Sequence, residues 1–228
     1  MIYFSSCKID NFGPNATFYG AIRDSVNGGL VETTLTYGNV LEVFELGYPT
    51  QVSQSWIIKE NGEFRNNFVF ANKYDIYLRN ENFFPYTLYS FEIKPGDNMQ
   101  DFYVTPYIRI KDCNISLDTI AKKVNATFSL EAGKPSVMLK SISLFSFSDM
   151  HVGSPISYIT VGTGFTQSFK TSVPIDAATI YSLSIDLAAN QTMFLKGRNY
   201  YFRVGALAAV TGVGTIRYNY APYVKITL

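Results

Sequence analysis

The chain has 228 residues, 47% of them hydrophobic and 16% aromatic, with 17 Tyr, 18 Phe and a single Trp. That length suits one large β domain or two small ones, and the surplus of Tyr and Phe favours pleated, half-buried surfaces. Charge is sparse, and 19 Lys and Arg nearly cancel 18 Asp and Glu, so no overall basicity points to nucleic acid; no apolar run reaches the ~18 residues that would span a bilayer.

At the amino terminus, Met1-Ile-Tyr-Phe-Ser-Ser-Cys7 is an apolar stub ending in two small residues and a cysteine, followed by the polar Lys8-Ile9-Asp10-Asn11. It resembles the tail of a bacterial lipoprotein signal, in which that cysteine, here Cys7, carries the lipid. Phe4 stands where Leu is usual, and the charged start and longer apolar region of a signal are missing; an ordinary terminus with a chance cysteine is the competing reading. Residues 8–14 read as a tether, with Gly13-Pro14 breaking any regular element. Residues 1–14 are thus taken as signal remnant and tether. Cys7 and Cys113 are too few for a disulfide framework.

From Asn15 to Arg23 the chain alternates with period two, which predicts a strand. Val40–Leu46, Ser55–Lys59, Lys73–Arg79, Leu88–Lys94 and Asp101–Thr105 follow as strand candidates. Glu60-Asn61-Gly62-Glu63 is the clearest hairpin signal, since Asn-Gly suits a type I′ turn, and Phe64 follows it. Short strands with turn signals at this spacing predict a β-sandwich over 15–105. The order of strand, Asn-Gly turn, Phe64, Tyr74–Leu78 and Lys94-Pro-Gly96 is similar to the transthyretin-like regulatory sandwich found beside carboxypeptidases.

The run Asp101-Phe-Tyr-Val-Thr-Pro-Tyr-Ile-Arg-Ile110 reads strand, proline, strand and marks a boundary at Pro106. A second sandwich is expected over 106–228, with strands at Tyr107–Lys111, Val124–Glu131, Ser136–Phe147, Ser157–Val161, Phe165–Ser172, Tyr181–Leu187, Tyr200–Leu207 and Tyr218–Thr227. The segment Phe194–Ala206 resembles the penultimate strand of immunoglobulin- and fibronectin-type sandwiches. Alternation points Tyr200, Phe202 and Val204 inward and Tyr201 and Arg203 outward. Tyr200 is a candidate tyrosine corner, and Pro222 puts the closing strand on an edge or delays its start. Ser116–Lys123 and Asp176–Ala178 are the only places for a helical turn. The fold class is therefore all-β, two tandem sandwiches. Charge divides at the same point: residues 1–105 hold 7 Lys and Arg against 12 Asp and Glu, residues 106–228 hold 12 against 6. Opposite signs could help two domains dock.

Catalytic apparatus is not evident. The one histidine, His151, lies in the turn-like Asp149-Met-His-Val-Gly153, with no elbow or oxyanion loop around it. One His and two distant Cys lack metal-ligand spacing. Glu42 and Glu45 lie three apart on a strand and face opposite sides, and Glu60 and Glu63 flank a turn, so no carboxylate pair suggests a glycosidase. No cofactor is implied.

The most suggestive stretch is Asn80-Glu-Asn-Phe-Phe-Pro-Tyr86, where Pro85 and polar neighbours predict an exposed connection. Sugars stack C–H faces on aromatic rings while their hydroxyls need amide or carboxylate partners. Phe83, Phe84 and Tyr86 could supply rings, and Asn80, Glu81 and Asn82 the polar groups. Trp56 is the other platform. The competing reading is that loop aromatics fold back over the end of a sandwich and that Trp56 is core.

Pro14-Asn-Ala-Thr17, Gly62-Glu63-Phe64, Tyr74-Asp-Ile76, Asp101–Ile110 and Tyr200–Ala206 together resemble the DUF3823 family of Bacteroidetes surface lipoproteins. The resemblance implies a lipid-anchored outer-membrane protein, exposed at the cell surface or facing the periplasm. It also implies a place beside polysaccharide-uptake systems, with a transporter and sugar-binding lipoproteins as partners, and carries over no functional residues. The expected role is non-catalytic binding of a polysaccharide or oligosaccharide. The alternative is a structural or adhesive module such as a pilus-type subunit or spacer.

Overall fold

A computed structural model describes residues 13–228; the predicted lipid-attachment residue Cys7 lies outside them. The first sandwich comprises β1 (Ala16–Asp24), β2 (Val40–Glu45), β3 (Ser53–Ile57), β4 (Glu63–Val69), β5 (Asn72–Leu78), β6 (Tyr86–Ile93), β7 (Gly96–Met99) and β8 (Phe102–Val104). One sheet has the order β4-β1-β7, with β8 continuing beside the second half of β1. Both β7 and β8 run parallel to β1. The other sheet is antiparallel, in the order β3-β2-β5-β6. Alternation buries Phe18 and Ile22 of β1 against Leu41, Val43, Tyr74, Ile76 and Leu78 of the facing sheet.

The Asn61-Gly62 turn forms, but not as type I′. Gly62 alone has a positive φ, 88°, and its N–H donates to the Lys59 carbonyl at 2.9 Å while Lys59 N–H donates to the Glu63 carbonyl at 2.7 Å. This is a three-residue loop closed by a left-handed glycine. Beyond one bridge between Ile58 and Phe64, its two arms part into different sheets. The hairpin signal foresaw an arm at Phe64 but not the extent of β4, and β7 went unforeseen. Polar Arg65-Asn66-Asn67 obscures alternation in β4, and Pro95-Gly96 reads as a stop although β7 starts on that glycine.

The second sandwich comprises β9 (Ile108–Asp118), β10 (Lys123–Ala132), β11 (Met138–Phe147), β12 (Thr166–Pro174), β13 (Ile180–Asp186), β14 (Asn199–Ala209), β15 (Asn219–Tyr220) and β16 (Val224–Thr227). Its sheets are β13-β10-β9 and β12-β11-β14, the latter completed by β15 and β16 along the far side of β14. In immunoglobulin lettering these are E-B-A and C′-C-F-G. Tyr200 makes the tyrosine corner: its hydroxyl accepts the Leu195 N–H at 2.7 Å. Pro222 splits the closing strand into β15 and β16. Ser116–Lys123 is no helical turn; β9 runs to Asp118 and reverses at residues 119–122. Ser157–Val161 is a loop, pinned by Tyr158 N–H to the Ser146 carbonyl at 2.8 Å and by Val161 N–H to Asn190 Oδ1 at 2.6 Å.

Arg203 corrects a prediction. It does face away from its own core, but the first sandwich covers that face and leaves the side chain 0% exposed. All five guanidinium N–H groups find acceptors. Nε donates to Ala221 O at 2.9 Å. Nη1 donates to Thr33 O at 2.7 Å and Val152 O at 3.3 Å. Nη2 reaches the Glu32 carboxylate and, at 3.4 Å, Glu60 O. Burial pulls the Arg203 guanidinium down and pushes the Glu32 carboxyl up, against the attraction of the pair, so the donors' full satisfaction is what makes the burial tolerable.

Candidate functional site

The loop between β5 and β6 lies at the end of the first sandwich that meets the second, and the joint absorbs most of it. Asn82 is 0% exposed. Its Nδ2 donates to Glu32 O at 2.7 Å and Tyr218 O at 3.0 Å, and its Oδ1 accepts from Asn39 Nδ2 at 2.7 Å. Its carbonyl accepts from Asn219 Nδ2 at 2.8 Å, and Asn219 Oδ1 in turn accepts the Ile108 N–H at 3.1 Å. Asn80 is exposed but held in a left-handed conformation, φ 62°. Its Oδ1 takes the Thr215 N–H at 3.0 Å and its carbonyl takes Arg217 Nε at 2.7 Å.

The rings follow the amides inward. Phe83 is wholly buried in the first core. Phe84 packs edge-on against Tyr107 at 4.9 Å, with Lys134 Nζ 3.9 Å above its ring. Tyr86 keeps partial exposure but leans edge-on toward Phe102 at 5.9 Å. Trp56 is core, 5.8 Å from both Phe18 and Tyr74. Phe83 and Trp56 therefore offer no face to a sugar, the Asn82 amide is engaged through both its atoms, and Asn80 is tied to the second sandwich through Oδ1. The loop is covered because a second sandwich sits on it, which no local signal reports.

Glu81, in the same loop, is buried with Oε2 unpartnered, and the nearby Tyr107 hydroxyl is unpartnered too. Burial pushes the Glu81 carboxyl up to about 8. A cleft of about 330 Å³ runs along the joint, lined by Asp24, Glu32, Arg109 and Tyr220 among others. Its charges are already matched: Arg109 holds Asp24 through Nε and, at 2.8 Å, through Nη2. Burial alone would raise the Asp24 carboxyl, but Arg109 and the Val26 N–H outweigh it and hold it low. His151 pairs with Glu60 across the same joint. Among the described residues no three His, Cys, Asp or Glu side chains converge as a metal site, and no helix is long and apolar enough to cross a membrane.

Open aromatics lie instead on the outer face of the β3-β2-β5-β6 sheet. Because Tyr74, Ile76 and Leu78 point inward, Lys73, Asp75, Tyr77 and Arg79 point outward. Pairing sets Glu42 and Thr87 on either side of Tyr77, Phe44 beside Asp75, and Ser53 and Ser55 beside Phe44 and Glu42. Phe44 and Tyr77 meet at 5.5 Å and 84°, Tyr77 and Tyr89 at 5.8 Å and 90°. Tyr89 is 65% exposed. Simple alternation would put Tyr89 and Phe91 on one face. Ser90 breaks it: at φ 50° it takes the bulge in the β5–β6 register, its N–H donating to Asp75 Oδ1 at 2.8 Å. Phe91 then packs on Phe18 inside while Tyr89 points out.

Polar groups flank these rings in fixed positions. Arg79 grips Glu42 with Nε at 2.5 Å and Nη2 at 2.9 Å, and its guanidinium lies 5.1 Å over Tyr77. Nη1 makes no hydrogen bond with a described residue, and the pair remains partly open, with side chains 49% and 24% exposed. Partial desolvation, then Tyr89 and Asp75, hold the Tyr77 hydroxyl above the ordinary phenol value, so it stays a neutral donor. The arrangement offers apolar ring surface, hydroxyls and a held carboxylate–guanidinium pair on one open sheet face. None of its residues was singled out as a site from the sequence. The available signal was ring-bearing outward positions on β2 and β5, and the bulge concealed the third.

Residues 16–105 match the domain described as protein of unknown function (DUF3823) N-terminal domain. A crystal structure from Bacteroides uniformis, named as a candidate carbohydrate-binding protein, is 47% identical, superposes with a TM-score of 0.91, and matches over 95% of this chain and 100% of its own. A DUF3823 family protein from Parabacteroides merdae shares the fold at 20% identity and TM-score 0.72, over 94% of this chain and 100% of its own. A further family member from Bacteroides uniformis does so at 17% identity and TM-score 0.74, over 94% and 100%. No curated protein matches the chain. With residues 16–105 matched by the family's N-terminal domain, this chain belongs to the DUF3823 family.

Proposed function

We propose that the protein is a non-catalytic glycan-binding lipoprotein of the cell surface, an accessory to polysaccharide uptake, and that it binds sugar on the outer face of the β3-β2-β5-β6 sheet. The observation that carries this reading is the row Phe44, Tyr77 and Tyr89, the first two half-buried and the third exposed, flanked by Glu42, Arg79, Ser53, Ser55 and Thr87. Apolar rings beside fixed hydrogen-bonding groups suit a ligand with C–H faces and many hydroxyls. The relative at 47% identity, named as a candidate carbohydrate-binding protein, supports it.

Attachment at Cys7 is part of the proposal. The described chain begins beside the end of β4, where Asn15 N–H donates to Val69 O at 3.1 Å, at the pole opposite the joint. A lipid beyond that pole would leave the second sandwich at the end far from the anchor and the aromatic face on the flank between them, within reach of an outer-membrane transporter and its sugar-binding lipoproteins. Native affinity electrophoresis in gels containing soluble polysaccharides tests the binding site. Retardation by at least one polymer is expected, reduced at least tenfold in Tyr77→Ala and Tyr89→Ala. Retardation that survives both substitutions removes this face as the site. No retardation on a broad panel returns the protein to the role of a structural module. Fatty-acid labelling of the full precursor, lost in Cys7→Ala, tests the anchor.

A further inference from the structure

The ligand's class follows from ring geometry and charge on the same face. Successive strands stand about 4.8 Å apart, and the three rings occupy one strand each, with centroid steps of 5.5 Å and 5.8 Å. Each step is comparable to the advance of one pyranose unit along a chain. The rings are not coplanar: each neighbouring pair is within a few degrees of perpendicular, at 84° and 90°. A flat crystalline surface needs coplanar rings to touch all of them at once. Edge-on rings instead form walls and shallow slots, which a single flexible chain can enter.

Carboxylates outnumber cations on this face. Arg79 is held by both oxygens of Glu42. Asp75 accepts the Ser90 N–H. Lys73 stands directly opposite Glu92 in the β5–β6 register. At the rim, Glu45 accepts from Asn72 Nδ2 at 2.9 Å. Among the described residues of this face, two cations therefore stand against Glu42, Asp75 and Glu92, and neither cation lacks an acidic neighbour. An acidic chain would have to displace Glu42 from its bidentate partner or accept repulsion from three carboxylates. Hydroxyls face no such obstacle, since Arg79 Nη1, Ser53, Ser55 and Thr87 can all donate.

We infer that the face binds one neutral glycan chain running across the strands, with three consecutive sugars over Phe44, Tyr77 and Tyr89, and discriminates against acidic polymers and crystalline surfaces. This rests on the glycan-binding reading above. The test runs the whole protein on affinity gels with neutral polymers (galactomannan, xyloglucan, glycogen) and acidic ones (polygalacturonate, alginate), and by co-sedimentation with microcrystalline cellulose. The expected result is retardation by at least one neutral polymer, at least tenfold weaker retardation by the acidic polymers, and no co-sedimentation. Oligosaccharides cut from the retarding neutral polymer should gain affinity by titration calorimetry up to three units and then level off. Glu42→Gln frees Arg79 and should narrow the neutral–acidic gap several-fold. Acidic binding equal to or tighter than neutral, or retention on cellulose, that is lost in Tyr89→Ala overturns this inference while leaving the site intact. So does affinity that keeps rising beyond three units. Binding that persists in the Tyr77→Ala, Tyr89→Ala double variant, or absence of all binding, overturns the site itself and this inference with it.

Discussion

The loop between β5 and β6 and the outer face of the sheet it belongs to carry similar chemistry and opposite fates. The loop has Phe83, Phe84 and Tyr86 beside Asn80, Glu81 and Asn82. The face has Phe44, Tyr77 and Tyr89 beside Glu42, Asp75 and Arg79. In the loop, the Asn82 amide is spent on Glu32 and Asn39 of its own sandwich and on Tyr218 of the second, and Phe83 is sealed in the core. On the face, a strand geometry ordinarily associated with burial leaves the Tyr89 ring open. What decides availability is whether another part of the molecule covers the surface, not whether a residue sits in a loop or a strand.

Breaking the covered side should cost the most stability. Arg203→Ala leaves the Glu32 carboxylate and several carbonyls facing each other in the joint, and should lower the urea-derived unfolding free energy by about 3–5 kcal/mol or more. Phe83→Ala removes a ring from the first core and should cost about 3–5 kcal/mol. Neither should alter glycan affinity of the protein that remains folded; a specific loss of binding in either would mean that the joint, not the face, contacts sugar.

A smaller effect should appear with pH. Glu81 is raised from 4.5 to about 8 by burial, so the folded state holds a proton that the unfolded state releases. Its contribution is fully present below pH 4.5 and declines as pH rises toward 8. Glu81→Gln should flatten the stability profile between these limits, so that its stability relative to the parent rises steadily with pH toward 8. Identical profiles for both proteins would place an unseen partner on Oε2. The smallest stability change belongs to the open side. Tyr89→Ala should stay within about 0.5 kcal/mol of the parent in unfolding, yet lose at least tenfold in glycan binding; a large loss of stability would mean that the ring is structural.

Much of the frame could be read from local pattern. Alternation located β1, β5 and β14, and Pro222 signalled an edge position or a late start for the closing strand, because these depend on neighbours in sequence. The direction of Arg203 was legible too, but not its burial, since period two tells which face a residue takes and nothing of what lies against that face. Asn82 and Asn219 clasp across a separation of 137 residues, which no window contains. Tyr89 was hidden by one extra residue, Ser90. The charge division left a trace of the joint: in Arg109–Asp24, Arg203–Glu32 and His151–Glu60 the basic partner always comes from the second sandwich and the acid from the first.

The place of β1 carries a mechanical consequence. A pull entering at Asn15 runs straight along this central strand, which is bonded to β4 on one edge and to β7 and then β8 on the other. The interruption between β7 and β8 is stitched by Gln100 N–H to Tyr19 O at 2.9 Å and by Ala21 N–H and Arg23 to Asp101. These bonds cross the line of tension, so force loads them in shear and they must fail together, not one after another as in an unzipping hairpin. The end of the first sandwich where β1 begins thus meets drag with a shear-loaded set of bonds.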